Sequence, residues 1–366
     1  MTGCSSGYGP NEQSREKSDT ENGSTPNGNS VDSISESAAA QNLAAGEAAA
    51  QAITQIEFPL SAVREVEESD IASAASSLTV SKNSNPDLSV PTYLTKIDGV
   101  YFIVDCYHNT VIYSSNLADP LTEWSVMTSD VNRAHTIASD GTVYLIDDTE
   151  NNRILVFEKN EGRFIETQKL ENIGVRPHYI IYNEPDKTFY AWSSMTGTMY
   201  LIHRDCATNN MNITAEYAIP SLYASYVRSF TIDNDSQSIY LVSGDSSIIE
   251  ASLDDLQIKK EYPVPAEMAG MVQITPIDDQ FYITISTDAS MNQDCATIIR
   301  CSSLDDLNKG KFDDIYKQYF IGGGTPYYIT CIDDTYYLTE HRIPGHAIWS
   351  FNVGDDGLPA DVKTVF

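Results

Sequence analysis

The chain has 366 residues, which is long enough for one large all-β domain or two ordinary domains. Its 52 acidic residues outnumber its 22 basic residues, and the net charge of -30 repels phosphate backbones and anionic lipid surfaces. We therefore expect no nucleic-acid partner, and the composition favours a hydrated, acidic extracellular domain.

The beginning of the chain predicts a tether. Residues 5–37 are rich in Ser, Asn, Gly, Glu and Thr without apolar periodicity, and residues 38–55 are rich in Ala. Such segments bury too little apolar surface to order themselves. We therefore expect residues 1–55 to be a disordered tether that can include a short Ala-rich helix. The alternative is an unstructured terminus without a function.

Thr2-Gly3-Cys4 precedes this segment. It resembles the end of a bacterial lipoprotein signal, in which a small residue and a glycine precede the lipidated cysteine. The resemblance implies that Cys4 carries lipid and that the protein stands at the extracellular face of a bacterial membrane. The membrane would then be contacted only through that lipid anchor. A chance Gly-Cys pair is the other interpretation.

Beyond residue 90, an apolar or aromatic residue followed by tyrosine recurs along the chain. The tyrosines are spaced 43, 46, 50, 42 and 55 residues apart. Repeats of about 40 to 50 residues with strand periodicity are typical of propeller blades. We predict an all-β fold, a six-bladed β-propeller over residues 56–366 with clear repeats from about residue 90. The doublets are Val100-Tyr101, Val143-Tyr144, Phe189-Tyr190, Ile239-Tyr240, Phe281-Tyr282 and Tyr336-Tyr337.

Each predicted blade starts with a strand that precedes its tyrosine strand. Short polar turns such as Asp98-Gly99 separate the two strands and indicate hairpins, and a third and fourth strand follow. Residues 56–90 are expected either to pack on the domain or to complete a terminal blade. The predicted first strands start at Thr92, His135, His178, Ser229, Val272 and Tyr327.

The segment Asp140–Phe157, which belongs to the second blade, resembles an NHL-type propeller repeat. Blades one and six keep a looser version, with Asn109-Thr110 and Gly345-His346 where the family pattern has Asn-Arg. Blades three to five keep little beyond the doublet. The resemblance implies the fold, but such propellers serve as binding scaffolds, lyases and sugar-processing enzymes alike.

One face of the predicted propeller collects most of the candidate chemistry. In an antiparallel blade, the start of the first strand and the end of the second reach the same face, which we call the upper face. The residues predicted to bind a ligand there are Arg133, His135, Arg176, His178, Arg228, Asp148, His341 and Arg342.

Arg133, Arg176 and Arg228 precede the first strands of successive blades. In an acidic protein, three guanidinium groups require either carboxylate partners or an anionic ligand. Both interpretations stay open: a ligand carboxylate, sulfate or uronate on one side, and internal ion pairs on the other. The internal candidates are Asp147, Asp148 and Glu340.

His135 and His178 also occupy matching positions in neighbouring blades, so they are candidates for a divalent metal. Zinc requires three or four ligands, and the equivalent positions of the other blades offer no third histidine. The NHL-like resemblance implies one metal precedent, a zinc lyase that uses channel histidines. The alternative is that both rings are hydrogen-bonded parts of the structure. No catalytic residue is assigned.

The function predicted from the sequence is binding of a small polar or anionic ligand, such as a glycan or a peptide, at the upper face. An extracellular lyase or glycan hydrolase that uses the same face, with or without a metal, is the first alternative. A protein-interaction scaffold of the cell envelope is the second. A monomer is expected in all three cases.

The lipid anchor can be tested directly. When the protein is expressed behind its native export signal, Cys4→Ser is expected to move it from the membrane fraction to the soluble fraction without changing its melting temperature. Detergent partitioning of both forms is the measurement. Identical partitioning would remove the lipoprotein interpretation.

Overall fold

Tight hairpins with left-handed residues connect the first two strands of several blades. Asp98 and Gly99 have φ values of 48° and 76°, and Asp333 and Asp334 have 48° and 63°. A two-residue turn with positive φ at both positions matches the twist of antiparallel strands, and Asp and Gly adopt this conformation at the lowest cost. These turns therefore join the first two strands of blades one and six, where the sequence predicts hairpins.

The structure, a computed structural model, describes residues 66–366, which form six four-stranded antiparallel sheets. The fold is a six-bladed β-propeller, as predicted. Blade one contains β1 (Pro91–Ile97), β2 (Val100–Asp105), β3 (Thr110–Ser114) and β4 (Ser125–Thr128). Blade two contains β5 (Ile137–Ser139), β6 (Val143–Asp148), β7 (Arg153–Asn160) and β8 (Arg163–Leu170). Blade three contains β9 (Pro177–Asn183), β10 (Thr188–Ser193), β11 (Thr198–Arg204) and β12 (Met211–Ala218).

The second half of the ring repeats the pattern. Blade four contains β13 (Phe230–Asp233), β14 (Ser238–Ser243), β15 (Ser247–Ser252) and β16 (Ile258–Pro263). Blade five contains β17 (Met271–Ile277), β18 (Gln280–Ile285), β19 (Thr297–Cys301) and β20 (Asp313–Asp314). Blade six contains β21 (Thr325–Ile332), β22 (Thr335–His341), β23 (Ile348–Val353) and β24 (Pro359–Thr364). The six doublet tyrosines all lie in second strands, which confirms the repeat.

Helices in the described part are few and short. They are α1 (Glu68–Ser77) and α2 (Tyr316–Tyr319). Short 3-10 helices lie at Cys106–His108, Leu121–Glu123, Thr149–Asn151, Pro220–Leu222, Ala266–Met268, Gln293–Cys295 and Leu304–Lys309. No helix within residues 66–366 is long and apolar enough to cross a membrane.

The first strand of each blade is innermost, and side chains near the axis bond to the backbone of the next blade. Thr92 Oγ1 donates to the His135 carbonyl at 2.8 Å, and Ser229 Oγ donates to the Val272 carbonyl at 2.6 Å. The ring closes when Thr339 Oγ1 of blade six donates to the Thr92 carbonyl at 2.8 Å. These bonds satisfy buried polar groups that the apolar interior would otherwise leave unpaired.

The apolar core consists of six clusters of buried side chains, one at each junction between adjacent blades. Trp192 of blade three and Phe230 of blade four illustrate the pattern, since both are buried in the cluster between those blades. Second-strand residues alternate between the two faces of their sheet and so supply both neighbouring clusters. This distribution gives the ring its rigidity around the axis.

Residues 66–90 pack against the ring and supply no blade strand, because all six sheets are complete without them. Ile71 and Ala75 of α1 are buried against Ile165 on the outer strand of blade two. Further along, Lys82 forms an isolated bridge with Ser125 in β4. The tether predicted at residues 1–55, its boundary with the propeller and the lipidation site Cys4 lie outside the described residues.

Candidate functional site

A cavity of about 170 Å³ opens on the upper face. Its lining residues come from all six blades, so it lies on the propeller axis. Three of them are arginines, and none is Asp or Glu. We call it the arginine cavity, defined by Arg133, Arg176, Arg228, Tyr226, Tyr327 and His341.

Two of the arginines share the same backbone conformation and the same hydrogen bond to an asparagine side chain in neighbouring blades. Arg133 and Arg176 have left-handed backbone, with φ values of 57° and 61°. Asn109 Oδ1 accepts a hydrogen bond from the Arg133 N–H at 3.0 Å, and Asn152 Oδ1 accepts one from the Arg176 N–H at 2.8 Å. Left-handed backbone costs a non-glycine residue about 1 kcal/mol or more, so these bonds help to hold both arginines at the cavity.

Aromatic rings support all three guanidinium groups. Arg176 and Arg228 lie 5.2 Å and 5.1 Å from the ring centroid of Tyr226, and Arg133 lies 4.5 Å from that of Tyr107. Cation–π contacts of this kind are attractive and leave the N–H donors of the guanidinium available. The cavity therefore presents oriented cationic donors.

Carboxylates neutralise little of this charge. Glu150 lies 3.0 Å from Arg176, and both side chains are about one-third exposed, so the pair contributes little stability. Among residues 66–366, no carboxylate oxygen lies within 4.0 Å of the Arg133 or Arg228 guanidinium. Arg176 is thus paired inside the protein, but with Glu150 rather than with Asp147, Asp148 or Glu340, the partners that the sequence offered.

The acids expected as partners are engaged elsewhere. Glu340 accepts hydrogen bonds from the Tyr316 hydroxyl and, at 2.8 Å, from Trp349 Nε1. Arg228 donates to the Gly270 carbonyl at 3.2 Å. Among residues 66–366, Glu340 therefore forms no ion pair with any of the three arginines.

Asp147 anchors the start of blade two from a fully buried position. It accepts hydrogen bonds from the backbone N–H of His135 at 2.9 Å and of Thr136 at 2.6 Å. The Thr136 and Thr149 hydroxyls donate to it at 2.7 Å and 2.9 Å. Burial raises the pKa of Asp147 to about 7, and these hydrogen bonds oppose the shift.

His135 lines the arginine cavity as a neutral imidazole. Burial, reinforced by the charges of Arg176, Arg228 and Arg133, lowers its pKa to about 3. Because the Thr149 hydroxyl donates to Asp147, its oxygen accepts the His135 Nδ1–H at 2.9 Å. The unprotonated Nε2 then faces Cys106 Sγ at 3.8 Å.

His178 was predicted to bind ligand, but it does not line the cavity. Its fully buried ring stacks on His135 with centroids 3.7 Å apart, and its Nδ1–H donates to the Arg228 carbonyl at 3.0 Å. This bond joins blade three to blade four. Burial and nearby positive charge lower the pKa of His178 well below its usual range. The structural interpretation therefore applies to this histidine.

The histidine pair does not have the geometry of a shared metal site. The two ring planes are 26° from parallel, and nitrogen lone pairs lie in those planes. Two stacked planes 3.7 Å apart and 26° from parallel do not meet within the about 2.0 to 2.1 Å of a zinc–nitrogen bond, so the two rings cannot both bind one ion. Among residues 66–366, no group of three or more His, Cys, Asp or Glu side chains is placed to hold a metal.

Asp148 and Arg342 do not belong to the arginine cavity. Neighbouring strand residues point to opposite sides of the sheet, so Asp148 turns away from Asp147. It accepts hydrogen bonds from the Asn132 N–H at 2.6 Å and from Arg153 Nε at 2.6 Å. Arg342 Nη1 donates to the Gln293 carbonyl at 3.1 Å. The structure therefore gives both residues other partners, whereas His341 does line the cavity.

Sequence reasoning did not select Tyr107 and Tyr226. Tyr226 has a φ of 52°, which is unusual for a bulky residue and directs its ring toward two arginines. A signal was present in the sequence, because Tyr226 stands two residues before Arg228 in a segment between strands. Tyrosines in turns beside candidate arginines are therefore the pattern to search for.

The comparisons with known proteins support the fold. A candidate 6-phosphogluconolactonase from Bacteroides fragilis shares 14% identity, with a TM-score of 0.56 over 77% of this chain and 86% of that chain. A catalytically inactive virginiamycin B lyase from Staphylococcus aureus, solved with quinupristin, shares 19% identity, with a TM-score of 0.52 over 78% of this chain and 88% of that chain. At such identities the likeness shows the propeller architecture alone.

Sequence comparisons add no assignment. No protein-family model matches the chain, and no curated protein sequence matches it. The residues of the arginine cavity are therefore the guide to function.

The buried histidines predict a pH dependence of stability. Below a pH of about 6.5 the unfolded chain binds a proton at His178 that the folded chain excludes, so the free energy of unfolding falls as pH falls. The loss is roughly 1.4 kcal/mol per pH unit for a histidine that stays neutral. His178→Gln, which keeps an N–H donor for the Arg228 carbonyl, should show a shallower loss between pH 6.5 and 4.

Urea unfolding at several pH values measures this difference. His346→Gln is the matched control, because it makes the same substitution at a partly exposed ring on blade six. Equal slopes for the wild type and His178→Gln would contradict the buried neutral state.

Proposed function

We propose that the protein binds a small organic anion in the arginine cavity. The observation that carries the proposal is a lining that contains three arginines and no carboxylate, in a chain with a net charge of -30. Carboxylate, sulfate and phosphate groups are the natural complements of such a site. Uronic-acid glycans and peptide carboxylates belong to this class.

The state of the donors also supports anion binding. Among the described residues, Arg176 Nε is shielded from solvent and has no hydrogen-bond partner. An unsatisfied buried donor costs about 1 to 3 kcal/mol, and a ligand oxygen would remove that cost if the guanidinium turns this N–H toward the cavity on binding. Within residues 66–366, the Tyr107 ring is the only support of the Arg133 guanidinium, so its donors also remain available.

An enzyme that uses the same cavity is the second candidate. The His135–Thr149–Asp147 hydrogen-bond chain resembles the arrangement that orients a general base, and Cys106 lies beside it. However, a histidine with a pKa of about 3 is a weak base at neutral pH. The geometry therefore favours binding over catalysis. If Cys4 carries lipid as predicted, the cavity would meet ligands outside the cell.

Arginine substitutions test the proposal. Each charge-assisted hydrogen bond contributes roughly 1.5 to 3 kcal/mol, so Arg133→Gln and Arg176→Gln should each weaken anion binding about tenfold or more. The measurement is isothermal titration of the purified protein with glucuronate, citrate and inorganic phosphate in turn. Turnover of any of them would favour the enzyme candidate.

Lys363→Gln is the control, because it removes an exposed positive charge far from the axis on the outermost strand of blade six. It should leave the affinity unchanged. If the arginines have a purely structural role, their variants should have lower melting temperatures and unchanged affinity. That result would contradict the binding proposal.

A further inference from the structure

A second and larger cavity, of about 500 Å³, lies beside the arginine cavity where blades one and six meet. His341 lines both cavities. The consecutive residues Ser89 and Val90 also divide between them, since Ser89 lines the larger cavity and Val90 lines the smaller. The two spaces are therefore immediate neighbours on the upper face, and we call the larger one the junction cavity.

The lining of the junction cavity differs in character from that of the arginine cavity. Two of its charged residues form hydrogen bonds within the protein. Glu340 accepts hydrogen bonds from Tyr316 and Trp349, and Arg342 donates one to the Gln293 carbonyl. A third, Asp87, is exposed. Most of the remaining lining is apolar and includes Leu88, Leu121, Ile343, Pro344, Ala347 and Phe366. Such a surface favours a hydrocarbon chain.

His341 is a side chain shared by the linings of the two cavities. Among the described residues, its Nδ1 is shielded from solvent without a hydrogen-bond partner. Burial, together with the charge of Arg342, lowers its pKa to about 4, so the ring is neutral at physiological pH. A neutral imidazole can donate or accept one hydrogen bond at this nitrogen, depending on its tautomer, and an amide offers both partners.

We propose that the two cavities form one binding site for an N-acylated amino acid. The carboxylate lies among Arg133, Arg176 and Arg228, the amide contacts His341, and the acyl chain occupies the junction cavity. This inference rests on the proposed anion-binding function and names the ligand class for it.

Titration with N-acetylglycine, N-hexanoylglycine and N-decanoylglycine below their micelle concentrations tests the inference. Burial of one methylene group should strengthen binding roughly fourfold until the chain fills the cavity. Ile343→Ser and Leu88→Ser, which alter partly exposed side chains on separate segments, should each flatten this dependence and leave the affinity for N-acetylglycine unchanged. Arg133→Gln should weaken all three ligands by a similar factor.

The outcomes separate the two proposals. An affinity that does not depend on chain length, or a steep dependence that survives in both serine variants, would overturn the acyl-chain assignment. Binding of N-acetylglycine that still requires Arg133 would then leave anion binding intact. If no member of the series binds, the N-acyl amino acid assignment fails, and the titrations with glucuronate, citrate and phosphate decide separately whether anion binding stands. If the ligands bind but Arg133→Gln changes none of the affinities, both proposals fail. Thermal melting of each variant confirms that it is folded.

Discussion

Hydrogen bonds between neighbouring innermost strands are the constraint on which the rest of the structure depends. Thr92, His178 and Ser229 each use a side chain to bond a backbone carbonyl of the next blade. Buried polar groups without such partners would be costly, so the positions at the strand starts are committed to holding the ring. Arg133, Arg176 and Arg228 lie just before the first strands of blades two, three and four, outside those strands, and line the axial cavity.

The same arrangement separates charge within a strongly acidic protein. Asp98, Asp278 and Asp333 have left-handed backbone in the hairpin turns at the face opposite the cavity, where Asp suits the turn conformation. The lining of the arginine cavity contains no acid at all. An overall negative charge is therefore compatible with a local site for anions, because short-range contacts with oriented guanidinium groups outweigh screened distant charges.

The repeat spacing was sufficient to predict six blades and the face on which the arginines meet, because equivalent positions of a ring must lie together. It could not predict which acid pairs with which base. That choice depends on the backbone of a few residues, such as the left-handed Arg176 that lies beside Glu150. His178 looked equivalent to His135 because both occupy the same position in neighbouring repeats. A side-chain bond across a blade junction, invisible in one sequence, gives it a different role.

The most direct measurement of the central claim is the location of an anion in crystals of the protein. Crystals soaked in selenate can be examined by anomalous scattering at the selenium edge. The account predicts a peak within hydrogen-bonding distance of the Arg133, Arg176 and Arg228 guanidinium groups, absent from crystals of Arg133→Gln. Peaks found only outside the cavity, or the same peak in crystals of Arg133→Gln, would contradict it.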